Sequence, residues 1–240
     1  MLDWVQMDRR TRKQLKGDKF AQEVGHTFEV LTTHRTDILR FGSAALAAIL
    51  IAGGVYLYHR HAVSVRAEAL AQALRIEDAK ISATPQPPNM TFATQQEQET
   101  AWNKAFGDLA ANYRGTQEGA IAGLYLGGRL AEKGKLAEAE KILKDVADSA
   151  PKEYAALAKL SLAQIYAGQG NVGQARSLIQ QVIDHPTGMV SKEEAQIQLA
   201  EILAPTDPAA ARKILEPLRA SRTAVSRAAI TAMGNIPQTN

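Results

Sequence analysis

The chain has 240 residues, 22% of them charged, with a formal net charge of +3 and no cysteine. The missing thiols exclude disulfides, thiolate metal sites, cysteine nucleophiles and a lipid-modified cysteine anchor. The net charge is no nucleic-acid signature, because residues 59–240 hold twenty Lys and Arg against nineteen Asp and Glu, with no clustered basic face for phosphates. Aromatic residues make up only 5% of the chain and alanine is abundant. Alanine is the best helix former, so the composition predicts an all-α protein.

Residues 1–36 form a basic arm. Phe20, Val24, Phe28 and Leu31 recur at helical spacing and make one apolar stripe among basic and polar residues. Such a helix suits the membrane lipid of the cytoplasmic leaflet or a docking partner; a tail serving only as a topology signal is the simpler alternative.

Residues 37–59 read as a transmembrane helix. Phe41 to Tyr58 contains no charge, and as a helix it is roughly 27 Å long, close to the hydrocarbon thickness of a bilayer. A removable signal peptide does not fit, because aromatic and basic residues (Tyr56, Tyr58, His59, Arg60) stand where small cleavage-site residues belong. Eight Lys and Arg precede Phe41, whereas Arg60, Arg66 and Arg75 follow the span closely. The positive-inside rule then keeps the N-terminus cytoplasmic and translocates the rest. Ala44, Ala48 and Ala52 line one face at four-residue spacing and favour close packing against another membrane helix. His59 and His61 alternate along the helix and face different sides, which argues against a metal pair.

Residues 60–93 comprise a membrane-proximal helix and a Pro-rich loop. Val63, Ala67, Leu70, Ala71 and Leu74 continue a helical stripe, with an expected end near Ile81. Ala83 to Met90 (ATPQPPNM) then forbids helix and reads as an extended spacer, with proline recognition by a partner as the alternative.

Residues 94–234 alternate helical stretches with short breaks, and 235–240 form a tail. Helices are expected near 94–113, 118–132, 135–149, 152–168, 171–184, 190–204, 207–219 and 222–232. Leu124 to Leu143 repeats as Leu160 to Ile179 and, with one deletion, as Leu199 to Leu215. Small residues (Gly127, Ala163, Ala200) sit where the first helix of each pair crosses the second, opposite Ala139, Ala175 and Ala211. Gly134 and Gly170 are placed to end first helices in the left-handed conformation. Pro151 and Pro186 punctuate the pairs.

This pattern resembles the tetratricopeptide repeat, with two departures. Gly123 and Lys159 replace the family's bulky residue, and the repeat offset is 36 residues instead of 34. The resemblance implies a helical-repeat solenoid rather than an irregular bundle. By the repeat alignment its concave groove is lined by Ile121, Leu124, Gly128, Leu157, Leu160, Gln164, Ile197 and Glu201; the alternative is that several of these leucines pack on neighbouring helices. The tetratricopeptide clamps that grip a peptide's C-terminal carboxylate have Lys and Asn at the positions of Leu124 and Gly128, so no such clamp is expected. The groove is small and apolar and suits hydrophobic or extended protein segments.

No catalytic constellation stands out. There is no P-loop, H-E-x-x-H, G-x-S-x-G or dinucleotide fingerprint. The chain is therefore expected to be no enzyme, with no cofactor, metal, nucleic acid or small-molecule substrate. A basic cytoplasmic arm, one span and an external repeat domain together resemble the bacterial ancillary subunit of the Sec translocon. That resemblance is architectural over residues 37–220 and best locally from Gly123 through Ala175. It implies an inner-membrane protein with a periplasmic domain, whose partners are translocon subunits, a periplasmic chaperone or client segments. The alternative is a structural scaffold for another envelope or membrane complex.

Overall fold

The computed structural model describes residues 35–82, 84, 90–220 and 224–237. The expected arm helix lies outside the described residues, as does most of the Pro-rich loop. By its contacts the chain divides into two units, Met1–Val63 and Ser64–Asn240.

Among the described residues there are nine helices: α1 (Arg35–Glu77), α2 (Gln95–Asn112), α3 (Gln117–Glu132), α4 (Leu136–Ser149), α5 (Lys152–Gly168), α6 (Val172–Asp184), α7 (Lys192–Leu203), α8 (Pro208–Arg219) and α9 (Ala224–Gly234). The protein is all-α, as its composition predicts. The eight helices expected after residue 93 all form. Among the described residues the only pairing of extended chain is a two-residue parallel bridge, β1 (Lys80–Ile81) with β2 (Thr91–Phe92), which closes the base of the Pro-rich segment.

α1 is one helix from before the apolar segment to Glu77, four residues short of the expected end. Its stretch from Arg40 is long and apolar enough to cross a membrane, and none of its most apolar window is buried.

Local chemistry sets the helix ends of the second unit. Thr94, Thr116, Ser191 and Asp207 accept hydrogen bonds from the backbone N–H three residues on, and Pro208 follows Asp207 at the first turn of α8. Each such cap contributes about 0.5–2 kcal/mol. At the end of α3, Gly134 N–H donates to Ala131 O and Lys135 N–H to Leu130 O. Gly170 and Asn171 repeat this at the end of α5, donating to Ala167 O and Tyr166 O. Both glycines have positive φ, 73° and 79°. These are Schellman caps, the termination expected from the repeat.

Packing follows the repeat logic. Each helix from α2 onward packs on the next, and α3, α5, α7 and α9 also touch successively. First helices therefore form one row, with α4, α6 and α8 outside it. Ala139, Ala163, Ala175, Ala200 and Ala211 are fully enclosed in the main core with Leu143, Leu162, Ile179 and Leu215. Each large aliphatic side chain so buried contributes roughly 1.5–3 kcal/mol over its exposed state.

A second, aromatic core joins the tail of α1 to α2 and α3. Ala73, Trp102, Phe106, Leu109 and Ala122 are buried there, flanked by Ala69, Leu70, Leu74 and Ile76. The sequence boundary at residue 94 sets residues 60–93 apart from the repeats. In the structure Ser64–Glu77 packs within the same compact unit. Partly buried ion pairs tie it to α3. Arg66 Nε meets Glu118 Oε2 at 3.3 Å, and Arg129 meets Glu77 at 2.7 Å. Gln98 Nε2 donates to the carbonyls of Ile76 and Ala79, satisfying the end of α1.

Candidate functional site: the face of the first helices

The face made by α3, α5 and α7 is built from equivalent positions of three equivalent helices. The buried small residues Gly127, Ala163 and Ala200 point to the core. The groove residues expected from the repeat lie roughly 60–120° around each helix from those small residues. On α3 these include Ile121, Leu124 and Gly128; on α5, Leu157 and Gln164; on α7, Ile197 and Glu201.

The expected groove residues do not share one environment. Ile121, Leu124, Leu157 and Ile197 are half-buried and pack their inner sides on the main core. Gln164 and Glu201 are exposed. Leu160 is only 4% exposed and sits inside that core, so it offers no surface to a ligand. Gly128 is half-buried, and a Cβ built on it would meet nothing within 4 Å. It leaves an open notch in α3.

Tyr125 also belongs to this face. It lies four residues after Ile121 and three before Gly128, so the same stripe carries it. Its side chain is 46% exposed, large for an aromatic, and its ring stands 5.4 Å from Phe106. Behind Phe106 the ring of Trp102 stacks at 4.2 Å, and the Arg129 guanidinium lies 3.8 Å over Trp102. A buried stack thus ends in one exposed ring. On α7, Glu194 lies one turn before Ile197, and Gln198 lies between Glu194 and Glu201, about one turn from each. Helical spacing from Ile121, Ile197 and Glu201 was the signal for Tyr125, Glu194 and Gln198.

Electrostatics pin the scaffold. On α4, Glu140 accepts from Lys144 Nζ at 2.6 Å and from the Tyr166 hydroxyl of α5 at 2.8 Å. Lys144 first and Tyr166 second hold its carboxyl below the usual range. Arg114 binds Asp145 at 2.6 Å, which raises the guanidinium's pKa. That pair rims a cavity of about 410 Å³ between α2, α3 and α4, floored by small residues such as Ala110, Gly119 and Ala120.

Among the described residues no group of three or more His, Cys, Asp or Glu is placed to hold a metal ion. Ala44, Ala48 and Ala52 are exposed along α1, in the other unit.

A search of curated proteins and a search of solved structures found no match. One family model matches residues 39–186, from the apolar stretch of α1 through α6, more than half the chain. With paired helices, enclosed small residues at their crossings and glycine caps already in view, the chain belongs to the tetratricopeptide repeat-like domain family.

Proposed function

We propose that this protein is a single-pass inner-membrane accessory of bacterial protein translocation, linking the Sec channel to periplasmic chaperones or emerging clients. Tetratricopeptide-like domains are protein-interaction modules, and this one carries its binding surface on stacked first helices. The observation that carries the reading is the presence, in one chain, of a helix apolar enough to span a membrane and a repeat domain with a half-apolar outward face. Anchoring raises the effective concentration of that face at the membrane, where translocated chains emerge. The excess of Lys and Arg before the span supports a cytoplasmic N-terminus and a periplasmic repeat domain.

Site-specific photocrosslinking in cells tests this. A crosslinker replaces Leu124 or Gln164 on the candidate face, and separately Ala48 in the span, and partners are identified by mass spectrometry. Crosslinks from the face to a periplasmic chaperone and secreted chains, and from the span to translocon subunits, are expected. Crosslinks to a single unrelated envelope complex, with no secretory clients, overturn the translocation role and leave a membrane-anchored scaffold.

A further inference from the structure

The face of α3, α5 and α7 changes character along its length. Its α3 end is apolar and aromatic, with Ile121, Leu124 and the exposed Tyr125 beside the notch at Gly128. Its middle is neutral, with Leu157, Ser161 and Gln164. Its α7 end carries Glu194 and Glu201, both exposed and two helical turns apart. Neither carboxylate forms an ion pair with any described residue. On the same stripe the Oε1 of Gln198 is buried without a donor. Two exposed carboxylates and a buried, unpartnered amide oxygen thus gather at this end.

Resting on the reading of this face as a binding groove, we propose that it takes an extended basic polypeptide segment. An apolar or aromatic side chain seats against Tyr125 over Gly128, and an Arg or Lys further along the segment meets Glu194 and Glu201. Packed helices stand about 8–10 Å apart, so α3 to α7 is roughly 20 Å, which an extended chain covers in about six residues. The carboxylates attract a cation at the edge of an apolar surface, where water screens charge less than in bulk. They repel acidic segments, free C-termini and nucleic acid. The selectivity is therefore opposite in sign to that of a carboxylate clamp. An exposed tyrosine adds contact area at low entropic cost and a ring face for a guanidinium.

The test uses the full chain in a neutral detergent and fluorescence anisotropy of labelled peptides. One unstructured peptide carries Phe-Leu and, about six residues on, Arg-Arg; a second has Glu-Glu in place of Arg-Arg. The Arg peptide is expected to bind about tenfold more tightly at low salt, the gap closing near 1 M salt. The Glu194→Gln/Glu201→Gln double variant should erase the preference while its circular dichroism melt stays unchanged. Gly128→Leu, which fills the notch, should weaken binding of the Arg peptide. Equal binding of both peptides, still sensitive to Gly128→Leu, overturns the charge selectivity and keeps the groove. Binding of neither peptide, or indifference to Gly128→Leu, overturns groove and selectivity together.

Discussion

Gly127 of α3 lies so close to Leu143 of α4 that a Cβ built on it would fall 2.6 Å from Leu143 Cγ. The contact is with the branch point of a side chain only 1% exposed, which has little room to retreat. Gly123, one turn earlier, has the same relation to Val146, at 2.5 Å. Glycine in a helix interior costs about 0.5–1 kcal/mol relative to alanine, so glycine at these two positions calls for a steric reason. These contacts supply it: the glycines let α3 and α4 approach. Gly127→Val is expected to destabilise the second unit by about 1–3 kcal/mol through overpacking, read from urea unfolding followed by circular dichroism. Gly128→Ala is the control. With nothing near its Cβ, it should leave stability unchanged or raise it by about 0.5–1 kcal/mol. Equal losses from both variants would sink the close-approach account.

Gly134 and Gly170 have a different reason to be glycine. Neither has an atom within 4 Å of a built Cβ, so space is not the constraint. Their positive φ is. An L-residue in this conformation costs about 1–2 kcal/mol. Gly134→Ala and Gly170→Ala should each lower stability by about 1 kcal/mol, while Gly134→Asn, which tolerates the left-handed region, should lose less. An alanine variant as stable as the parent would show that the cap does not hold the turn.

Much of this architecture was legible because its determinants are local. Thr94, Thr116, Ser191 and Asp207 start helices, and glycine ends α3 and α5. Every expected boundary from α2 to α9 falls within two residues of the observed one. The role of the α1 tail was not legible. Its stripe was read through Val63, Ala67, Leu70, Ala71 and Leu74; the structure half-buries Leu70 and Leu74 but leaves Val63, Ala67 and Ala71 exposed, and it turns Ala73, Ala69 and Ile76 inward instead. The partners that select this face, Trp102 and Phe106, lie beyond the Pro-rich segment, and no periodicity within α1 names them. Leu160 failed as a groove residue for a related reason. Position along a repeat gives direction, whereas burial depends on how closely adjacent helices pack.

The Glu140 carboxylate gives a pH-dependent handle on the joint between α4 and α5. Its pKa is lowered by hydrogen bonds from Lys144 and then Tyr166. A group whose folded pKa is depressed stabilises the fold above its unfolded value of about 4.5, and loses that contribution as pH falls through the folded pKa. Tyr166→Phe removes one donor and should cost about 0.5–1.5 kcal/mol at pH 7. The gap between parent and variant should begin to narrow as pH drops below about 4.5 and close only once pH has fallen through the lowered folded pKa and Glu140 is protonated in both. Urea midpoints across this range decide it; a gap independent of pH would assign the loss to packing of the Tyr166 ring alone.

Absence of native cysteine makes the membrane arrangement directly testable, because any single introduced thiol reports alone. Ser177 of α6 and Lys213 of α8 are exposed on second helices, away from the candidate face, and tolerate substitution without touching the core. Thr11 lies in the basic arm. With a cytoplasmic N-terminus, Ser177→Cys and Lys213→Cys should react with a membrane-impermeant maleimide in spheroplasts, whereas Thr11→Cys should react only after lysis. The reverse pattern would invert the topology and remove periplasmic chaperones as partners. Protection of all three until lysis, with release of the chain by alkaline carbonate, would show that the apolar stretch of α1 does not span the membrane. The eight Lys and Arg before that stretch favour the first outcome, because moving them across the bilayer opposes both the membrane potential and the anionic inner surface.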